Sequence, residues 1–199
     1  MTRTFLALDL SPELQAFLGR AISRGAHLLP AARWVEPASL HVTLAFLGEL
    51  SDEQLAQAIE AGEAAARQVP PFSYRLTGLG TFGPARAPRV IWMGIEDPSG
   101  RMLALQQTLM RELQARGFPP EERPFSPHLT LARLKAPLSR EEQQALQRLL
   151  YEIRVPASLP VHTVESLDVM KSELSRAGAR YSCLHRARLA SAENAKSSS

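Results

Sequence analysis

The sequence of 199 residues predicts an α+β fold with mostly antiparallel sheets, and three observations lead to this class. Helical and strand patterns alternate along the whole chain. Two neighbouring strand patterns are joined as a hairpin, a connection that pairs strands in antiparallel fashion. The order strand–helix–strand–helix–strand–strand is also followed by a comparable set, which indicates an internal duplication.

The chain begins with a strand, a helix and two more strands. Residues 5–8 form a short apolar run typical of a strand. Ser11 followed by Pro12 predicts a helix N-cap and a first helical turn, and apolar residues then recur at helical spacing. A brief strand is predicted over residues 33–35, and a stronger one over residues 40–47.

A second helix and a hairpin follow. Ser51 and Gln54 have the spacing of a capping box, which predicts that a helix begins there. Residues 72–77 alternate between apolar and polar side chains, as a half-buried strand does. Residues 78–88 are rich in glycine and proline and predict a loop. Residues 89–95 predict the second strand of a hairpin with that long loop.

The remainder of the chain repeats the mixture of helices and strands. A helix is predicted over residues 99–116, ending at Gly117, and a strand over residues 128–134. Another helix is predicted over residues 139–150, and two closing strands over residues 161–170 and 180–189. We expect residues 1–189 to form one domain. Residues 190–199 are predicted to form a polar tail of low complexity.

Composition excludes several classes of protein. With 45% hydrophobic and 22% charged residues, the chain is neither disordered nor fibrous. Its longest apolar run is far shorter than the roughly 20 residues of a membrane helix. Asp9 interrupts the first apolar segment too early for a secretory signal, so we expect a cytoplasmic protein without membrane association. The net charge of +3 permits an anionic substrate without requiring one.

Cysteine and histidine usage argues against a metal site. Cys183 is the one cysteine, so it cannot form an internal disulfide or a cysteine metal cluster. The five histidines lack both cysteine partners and the His-Glu-x-x-His spacing of zinc enzymes. We therefore expect no metal and no cofactor.

One short phrase occurs twice in the chain. Residues 40–45 read Leu-His-Val-Thr-Leu-Ala, and residues 127–132 read Pro-His-Leu-Thr-Leu-Ala. Chance alone gives about 0.2 His-x-Thr matches in a chain of this composition. A single histidine beside a threonine on a strand is usually structural, but two matching copies indicate a shared function. His27, His162 and His185 lack the pattern and are expected to be structural.

Strand geometry explains why histidine and threonine stand two residues apart. Residues i and i+2 of a strand point to the same face, and the residues between them point to the other. The side chains expected on one face are His41 and Thr43 in the first copy, and His128 and Thr130 in the second. The side chains expected in the core are Val42, Leu44, Phe46, Leu129 and Leu131. If an approximate two-fold axis relates the halves, the two His/Thr pairs face each other across a cleft.

Two facing imidazoles are suited to in-line attack on a phosphodiester. One ring can remove a proton from the nucleophile while the other donates a proton to the leaving oxygen. Histidine serves both roles because its ordinary pKa of about 6.5 lies near working pH. The threonine hydroxyls can donate hydrogen bonds to phosphate oxygens. This chemistry requires no metal ion.

The repeated motif resembles that of the 2H phosphoesterase superfamily, named for its two His-x-Thr-x motifs. More closely, the chain is similar to the bacterial and archaeal RNA 2',3'-cyclic phosphodiesterases once called 2'-5' RNA ligases. The resemblance runs from about Arg3 to Leu189 and leaves only the tail outside. Besides the motifs, the segments that carry it are residues 33–36, 79–82, 89–92, 125–133, 167–172 and 178–181.

The resemblance implies a bilobal fold, with two mostly antiparallel sheets related by a pseudo-two-fold, helices packed outside and a central cleft. It implies hydrolysis of an RNA 2',3'-cyclic phosphate end, or of a cyclic nucleotide, to a 2'-phosphomonoester. We expect the protein to be a monomer. His41 would be the proton donor and His128 the proton acceptor, roles that the symmetry of the motifs alone does not assign. Thr43 and Thr130 would bind the phosphate.

Further candidate residues have two interpretations. Arg133 lies five residues after His128, so strict alternation places it on the opposite face unless the strand bulges or ends. It is therefore either a phosphate ligand or a strand-end arginine. Trp34, Phe82 and Trp92 can stack on a base or pack in the core.

Three alternative functions remain open. The same two histidines can catalyse 2'-5' RNA ligation, the reverse chemistry, although a hydroxyl nucleophile must then outcompete water. Another cyclic phosphodiester can be the substrate. A non-catalytic RNA-binding module is the alternative from a different class, and the intact histidines and threonines at both motifs speak against it.

Overall fold

A computed structural model of the chain describes residues 1–175 and 178–191. In this part of the chain nine strands and four helices follow one another: β1 Thr2–Leu8, α1 Pro12–Leu28, β2 Arg33–Trp34, β3 Val42–Leu50, α2 Asp52–Ala66, β4 Phe72–Phe82, β5 Val90–Glu96, α3 Arg101–Ala115, β6 His128–Arg133, α4 Arg140–Glu152, β7 His162–Val164, β8 Ser166–Ser175 and β9 Gly178–Arg188. Of the predicted tail, residues 190–199, only residues 190 and 191 are described, and the rest lies outside the described residues. None of the described helices combines the length and the apolar character needed to cross a bilayer.

The strands form two antiparallel sheets. One has the order β3-β1-β8-β9 and the other β2-β6-β5-β4-β7. Helices α2 and α3 pack together beside the first sheet, and α1 and α4 pack together beside the second. Each motif strand pairs with an earlier strand that a helix follows, β3 with β1 and β6 with β5. This repetition confirms the predicted α+β fold and its pseudo-two-fold relation.

Helix ends follow their sequence signals. The Ser11 side chain accepts a hydrogen bond from the Leu14 backbone N–H at the start of α1. Capping boxes begin α2 at Ser51 and α4 at Ser139, each with reciprocal backbone and side-chain bonds. Gly117, just after α3, has a φ of 86°, a left-handed conformation that glycine adopts without strain. Local capping chemistry therefore sets where three of the helices begin.

Strand β4 is longer than the sequence predicts. The expected loop over residues 78–88 is wrong in its first part, because the strand continues to Phe82 and pairs with β5. Glycine inside this strand serves packing, not chain reversal. A Cβ at Gly80 would lie 2.7 Å from Cε2 of Trp92 and closer still to other atoms of its ring, so the bare backbone is what makes room for the indole.

The segment predicted as one strand over residues 161–170 is two strands. β7 pairs with β4 in the second sheet, whereas β8 pairs with β1 in the first. The chain passes from one sheet to the other at Glu165. Both parts have strand-like sequences, so the local pattern alone cannot locate the crossing.

Candidate active site

The two motifs meet where the sheets approach each other. His41 immediately precedes β3, which carries Thr43, and β6 carries His128 and Thr130. Some Cα atoms of β3 and β6 come within 8 Å of one another. A cavity of about 1040 Å³ opens beside them, and Thr43, His128 and Thr130 form part of its wall. The His41 side chain is not part of that wall and packs among aromatic rings next to it.

Both histidine rings are held in the same way. Nδ1 of His41 lies 2.8 Å from the backbone oxygen of Ser39, and Nδ1 of His128 lies 2.7 Å from that of Ser126. A carbonyl oxygen can only accept, so Nδ1 carries the proton and donates in both rings. With this tautomer, Nε2 of the neutral ring can accept a proton, and Nε2–H of the protonated ring can donate one.

Aromatic packing surrounds His41. Its ring centroid lies 4.6 Å from that of Phe5 and 5.0 Å from that of Tyr181. Burial among these side chains lowers the pKa of His41 below its ordinary value, since the protonated ring loses hydration. The hydrogen bond to Ser39 opposes this shift only in part. His41 is therefore biased towards its neutral form in the free protein.

His128 contacts one aromatic side chain, which packs on a second one. Its ring meets the Phe82 ring edge to face, with centroids 4.9 Å apart, and Phe82 packs on Trp92 at 5.2 Å. Phe82 also lines the cavity, whereas Trp92 does not. Trp34 donates its indole N–H to the Leu29 carbonyl and packs against α1, away from the cleft. Of the three aromatic candidates, only Phe82 faces the cavity.

A β-bulge interrupts each motif strand at the same point. Leu6 and Ala7 of β1 pair with Ala45 and Thr43, so Leu44 is an extra residue in β3. In β6, Leu131 is the corresponding extra residue, because Ile91 and Trp92 pair with Ala132 and Thr130. Two consecutive residues point into the core at each bulge, Leu44 with Ala45 and Leu131 with Ala132. Alternation is therefore reversed after the bulge, and the fifth residue after each histidine faces the cavity.

The bulge overturns the prediction that Phe46 packs in the core. Its side chain is 54% exposed and lines the cavity, although Val42 and Leu44 are buried as predicted. The guanidinium of Arg3 lies 4.8 Å from the centroid of the Phe46 ring. Phe46 is thus a cavity residue that strict alternation missed. Alignment of the two motif copies would have found it, because Phe46 stands where Arg133 stands in the second copy.

The same geometry decides on which face Arg133 lies. The bulge at Leu131 turns the Arg133 side chain to the face of His128 and Thr130, and it lines the same cavity. The two lobes therefore present different chemistry at equivalent positions, an aromatic ring at Phe46 and a guanidinium at Arg133.

Further cavity residues lie outside the two His-x-Thr motifs. Arg89 lies just before β5, and the loop between α3 and β6 contributes Arg123 and Phe125. Nothing in local periodicity marks them, since loop side chains take their positions from the surrounding fold.

The remaining histidines lie outside the cavity wall. Nε2 of His162 lies 3.2 Å from the Asp9 carboxylate, and Nε2 of His185 lies 2.6 Å from Glu63. His27 is exposed on α1. Within the described residues, no three His, Cys, Asp or Glu side chains are grouped as a metal ion would require.

Curated relatives share most of this chain. An RNA 2',3'-cyclic phosphodiesterase of Thermotoga maritima is 31% identical over 92% of this chain and 93% of its own length. A protein of the same name from Geobacillus stearothermophilus is 31% identical over 86% of this chain. The present chain spans about half, 52%, of that longer relative.

Solved structures share the fold. TT0787 of Thermus thermophilus superposes with a TM-score of 0.75 at 31% identity, covering 94% of this chain and 97% of that one. E. coli LigT complexed with 3'-AMP superposes with a TM-score of 0.71 at 28% identity, covering 96% and 99%. The family model of the 2'-5' RNA ligase superfamily matches residues 10–176. With its two lobes, its paired motifs and this match over most of its length, the chain belongs to the 2'-5' RNA ligase superfamily.

Proposed function

We propose that this protein is an enzyme that hydrolyses 2',3'-cyclic phosphate ends of RNA to 2'-phosphomonoesters. The observation that carries the proposal is the matched tethering of two histidine rings. In both His41 and His128, Nδ1 donates to a backbone carbonyl two residues upstream and leaves Nε2 for the substrate. The curated relatives named RNA 2',3'-cyclic phosphodiesterase support the same reaction, and the 3'-AMP complex of E. coli LigT supports a nucleotide ligand.

The proposed reaction is one in-line displacement at phosphorus. Nε2 of neutral His128 accepts a proton from water as the water oxygen attacks the phosphorus. The bond from phosphorus to O3' breaks on the opposite side, and Nε2–H of protonated His41 gives its proton to O3'. The products are a 2'-phosphomonoester and a free 3'-hydroxyl. Because the two imidazoles supply both proton transfers, the scheme requires no metal.

Phosphate binding falls to side chains on the cavity wall. Thr43 and Thr130 each stand two residues after a motif histidine and can donate hydroxyl hydrogen bonds to the non-bridging oxygens. The Arg133 guanidinium adds positive charge on the same wall, where a bidentate contact to phosphate is possible. Phe46 and Phe82 are partly exposed rings that can stack on the base.

The assignment of His41 as donor must agree with its lowered pKa. Burial disfavours the protonated ring in the free protein. A phosphodiester anion held beside Nε2 favours that same protonated ring once substrate is bound. A lowered pKa also makes the protonated ring a stronger acid towards O3'. His41 then carries its proton chiefly in the substrate complex.

The catalytic unit is taken to be residues 1–189, because each lobe contributes one motif and both motifs come from one chain. The proposed site therefore needs no second subunit. Ligation through a 2'-5' bond would use the same histidines in reverse. The partly exposed cleft admits water, and this favours hydrolysis.

The test is turnover in the presence of a metal chelator. Adenosine 2',3'-cyclic phosphate and cyclic-ended RNA are incubated with the protein in EDTA, and products are identified by phosphorus NMR. We expect 2'-phosphates, and a loss of about 10²-fold or more in kcat for His41→Ala and for His128→Ala. A dependence on added metal, full turnover in both variants, or 2'-5' linked RNA as the main product would each contradict the proposal.

A further inference from the structure

A second cavity adjoins the catalytic one. It has a volume of about 340 Å³ and runs along α3. The residues that line both cavities are Gln106, Met110, Glu121, Arg123 and Phe125. The two cavities are therefore adjacent, because both are lined by residues of α3 and of the loop between α3 and β6, and we call the two together the groove. We call the part that only the second cavity contributes the α3 extension; it is lined by Gln107, Arg111 and Gln114.

The groove is larger than a cyclic mononucleotide requires. Pockets that enclose ligands of this size span roughly 300–1,000 Å³. The catalytic cavity alone, at about 1040 Å³, lies just above that range. A terminal nucleotide bound at the motifs therefore leaves the α3 extension free for a further part of the substrate.

The α3 extension has the chemistry of a nucleic-acid surface. Gln107, Arg111 and Gln114 are spaced four and three residues apart, so they share one face of the helix. The amides can bond base edges or ribose hydroxyls, and the guanidinium suits phosphate. The Arg111 guanidinium also donates to Thr108 Oγ1 at 3.0 Å, which limits the positions it can occupy.

Charge along the whole groove points the same way. One acidic side chain, Glu121, lines the two cavities, compared with four arginines: Arg89, Arg111, Arg123 and Arg133. Aromatic side chains are interspersed, with Phe125 at the junction of the two cavities. Positive groups that follow a backbone, combined with rings on which bases stack, are the features of single-strand binding.

We propose that the α3 extension binds the nucleotides that precede the cyclic phosphate, so that the preferred substrate is the 3' end of a single-stranded RNA longer than one nucleotide. This inference rests on the proposed function. A 2',3'-cyclic phosphate closes the 3' end of the chain, so the rest of the RNA extends from the catalytic cavity in the 5' direction. The groove along α3 gives that segment a path of matching charge.

The experiment measures kcat/KM for a 2',3'-cyclic mononucleotide and for cyclic-ended oligonucleotides of increasing length. We expect wild-type kcat/KM to rise with length. Arg111→Glu should lower it about tenfold for oligonucleotides and leave the mononucleotide unchanged. It should also reduce the salt dependence for oligonucleotides, because a phosphate contact is lost. The matched control is Arg20→Glu on α1, an exposed arginine outside both cavities with the same change of charge.

Several results would overturn the inference. These are equal wild-type kcat/KM at all lengths, an equal loss on mononucleotide and oligonucleotide in Arg111→Glu, or the same loss in Arg20→Glu. If the wild type turns over neither substrate, the proposed function fails. The groove is then judged by fluorescence anisotropy with a labelled 3'-phosphorylated oligonucleotide. Weaker oligonucleotide binding by Arg111→Glu than by Arg20→Glu supports RNA binding along the α3 extension. Equal binding by the two variants contradicts it.

Discussion

Substitution of Gly80 by alanine should damage both stability and catalysis, because this glycine makes room for Trp92, which packs on the ring that contacts His128. A Cβ at Gly80 would lie 2.7 Å from Cε2 of Trp92 and closer still to Cζ2 and Cη2. Carbon atoms pack at about 3.5–4.0 Å, so the indole must move by about 1 Å or more. Trp92 supports Phe82, whose ring in turn contacts His128.

The magnitude follows from two opposing effects. Overpacking of this kind costs about 1–3 kcal/mol. The lower entropy of the unfolded alanine chain offsets about 0.4–1 kcal/mol of this. A net loss of about 1–2 kcal/mol corresponds to a fall in Tm of about 2–8 °C for a chain of this size. The displaced rings should also lower kcat/KM for a cyclic nucleotide.

Gly78 provides the matched control in the same strand. A Cβ there would meet no heavy atom within 4 Å, so Gly78→Ala should leave Tm unchanged or slightly raised and kcat/KM unaffected. Tm is measured by differential scanning calorimetry, and turnover is measured in parallel. Equal Tm values for Gly80→Ala and Gly78→Ala would refute the packing argument. A lower Tm with unchanged kcat/KM would refute the link from Trp92 to His128.

Three further perturbations have defined outcomes. Because burial lowers the pKa of His41, this histidine becomes protonated at a higher pH in the unfolded chain than in the folded one. Tm should therefore decrease as the pH is lowered from about 6.5. His41→Gln should flatten that part of the Tm–pH curve, and an identical curve would contradict the shift. Phe46→Ala should raise KM for cyclic nucleotides about tenfold through lost stacking. The control Tyr151→Ala removes a ring that is 73% exposed and lies outside the cavity, and it should not raise KM. Equal KM values for the Phe46→Ala and Tyr151→Ala variants would exclude stacking on Phe46. Asp168→Asn should destabilise the protein by about 1.5–3 kcal/mol, since this buried carboxylate accepts hydrogen bonds of 2.8 and 2.7 Å from Arg186. An unchanged urea midpoint would show that these bonds contribute nothing.

Local signals in the sequence predicted the elements well. Serine caps located the starts of α1 and α2, because capping depends on residues only a few positions apart. The duplicated motif also located both strands at the cleft, since repetition of a whole phrase is independent of tertiary context. These features need no knowledge of which strands become neighbours.

Features that depend on neighbouring strands could not be predicted. Strict alternation placed Phe46 in the core, but the bulge at Leu44 exists only in the pairing of β3 with β1. The glycine-rich start of the predicted loop proved to be strand, because Gly80 accommodates Trp92 from the adjacent strand. The division of residues 161–170 likewise reflects a change of pairing partner. Side chains from separate loops, such as Arg123, converge on the cavity only once the fold is known.

The pH dependence of kcat/KM in variants that each retain one motif histidine tests the paired-imidazole mechanism most directly. Wild type should give a bell-shaped profile. His128→Gln, with only the proposed donor left, should lose activity as pH rises, with a midpoint below 6.5 because burial lowers the pKa of His41. His41→Gln, with only the proposed acceptor left, should lose activity as pH falls. If His128→Gln instead loses activity as pH falls and His41→Gln as pH rises, the donor and acceptor roles are exchanged. A bell-shaped profile that persists in both variants would contradict catalysis by this pair of histidines.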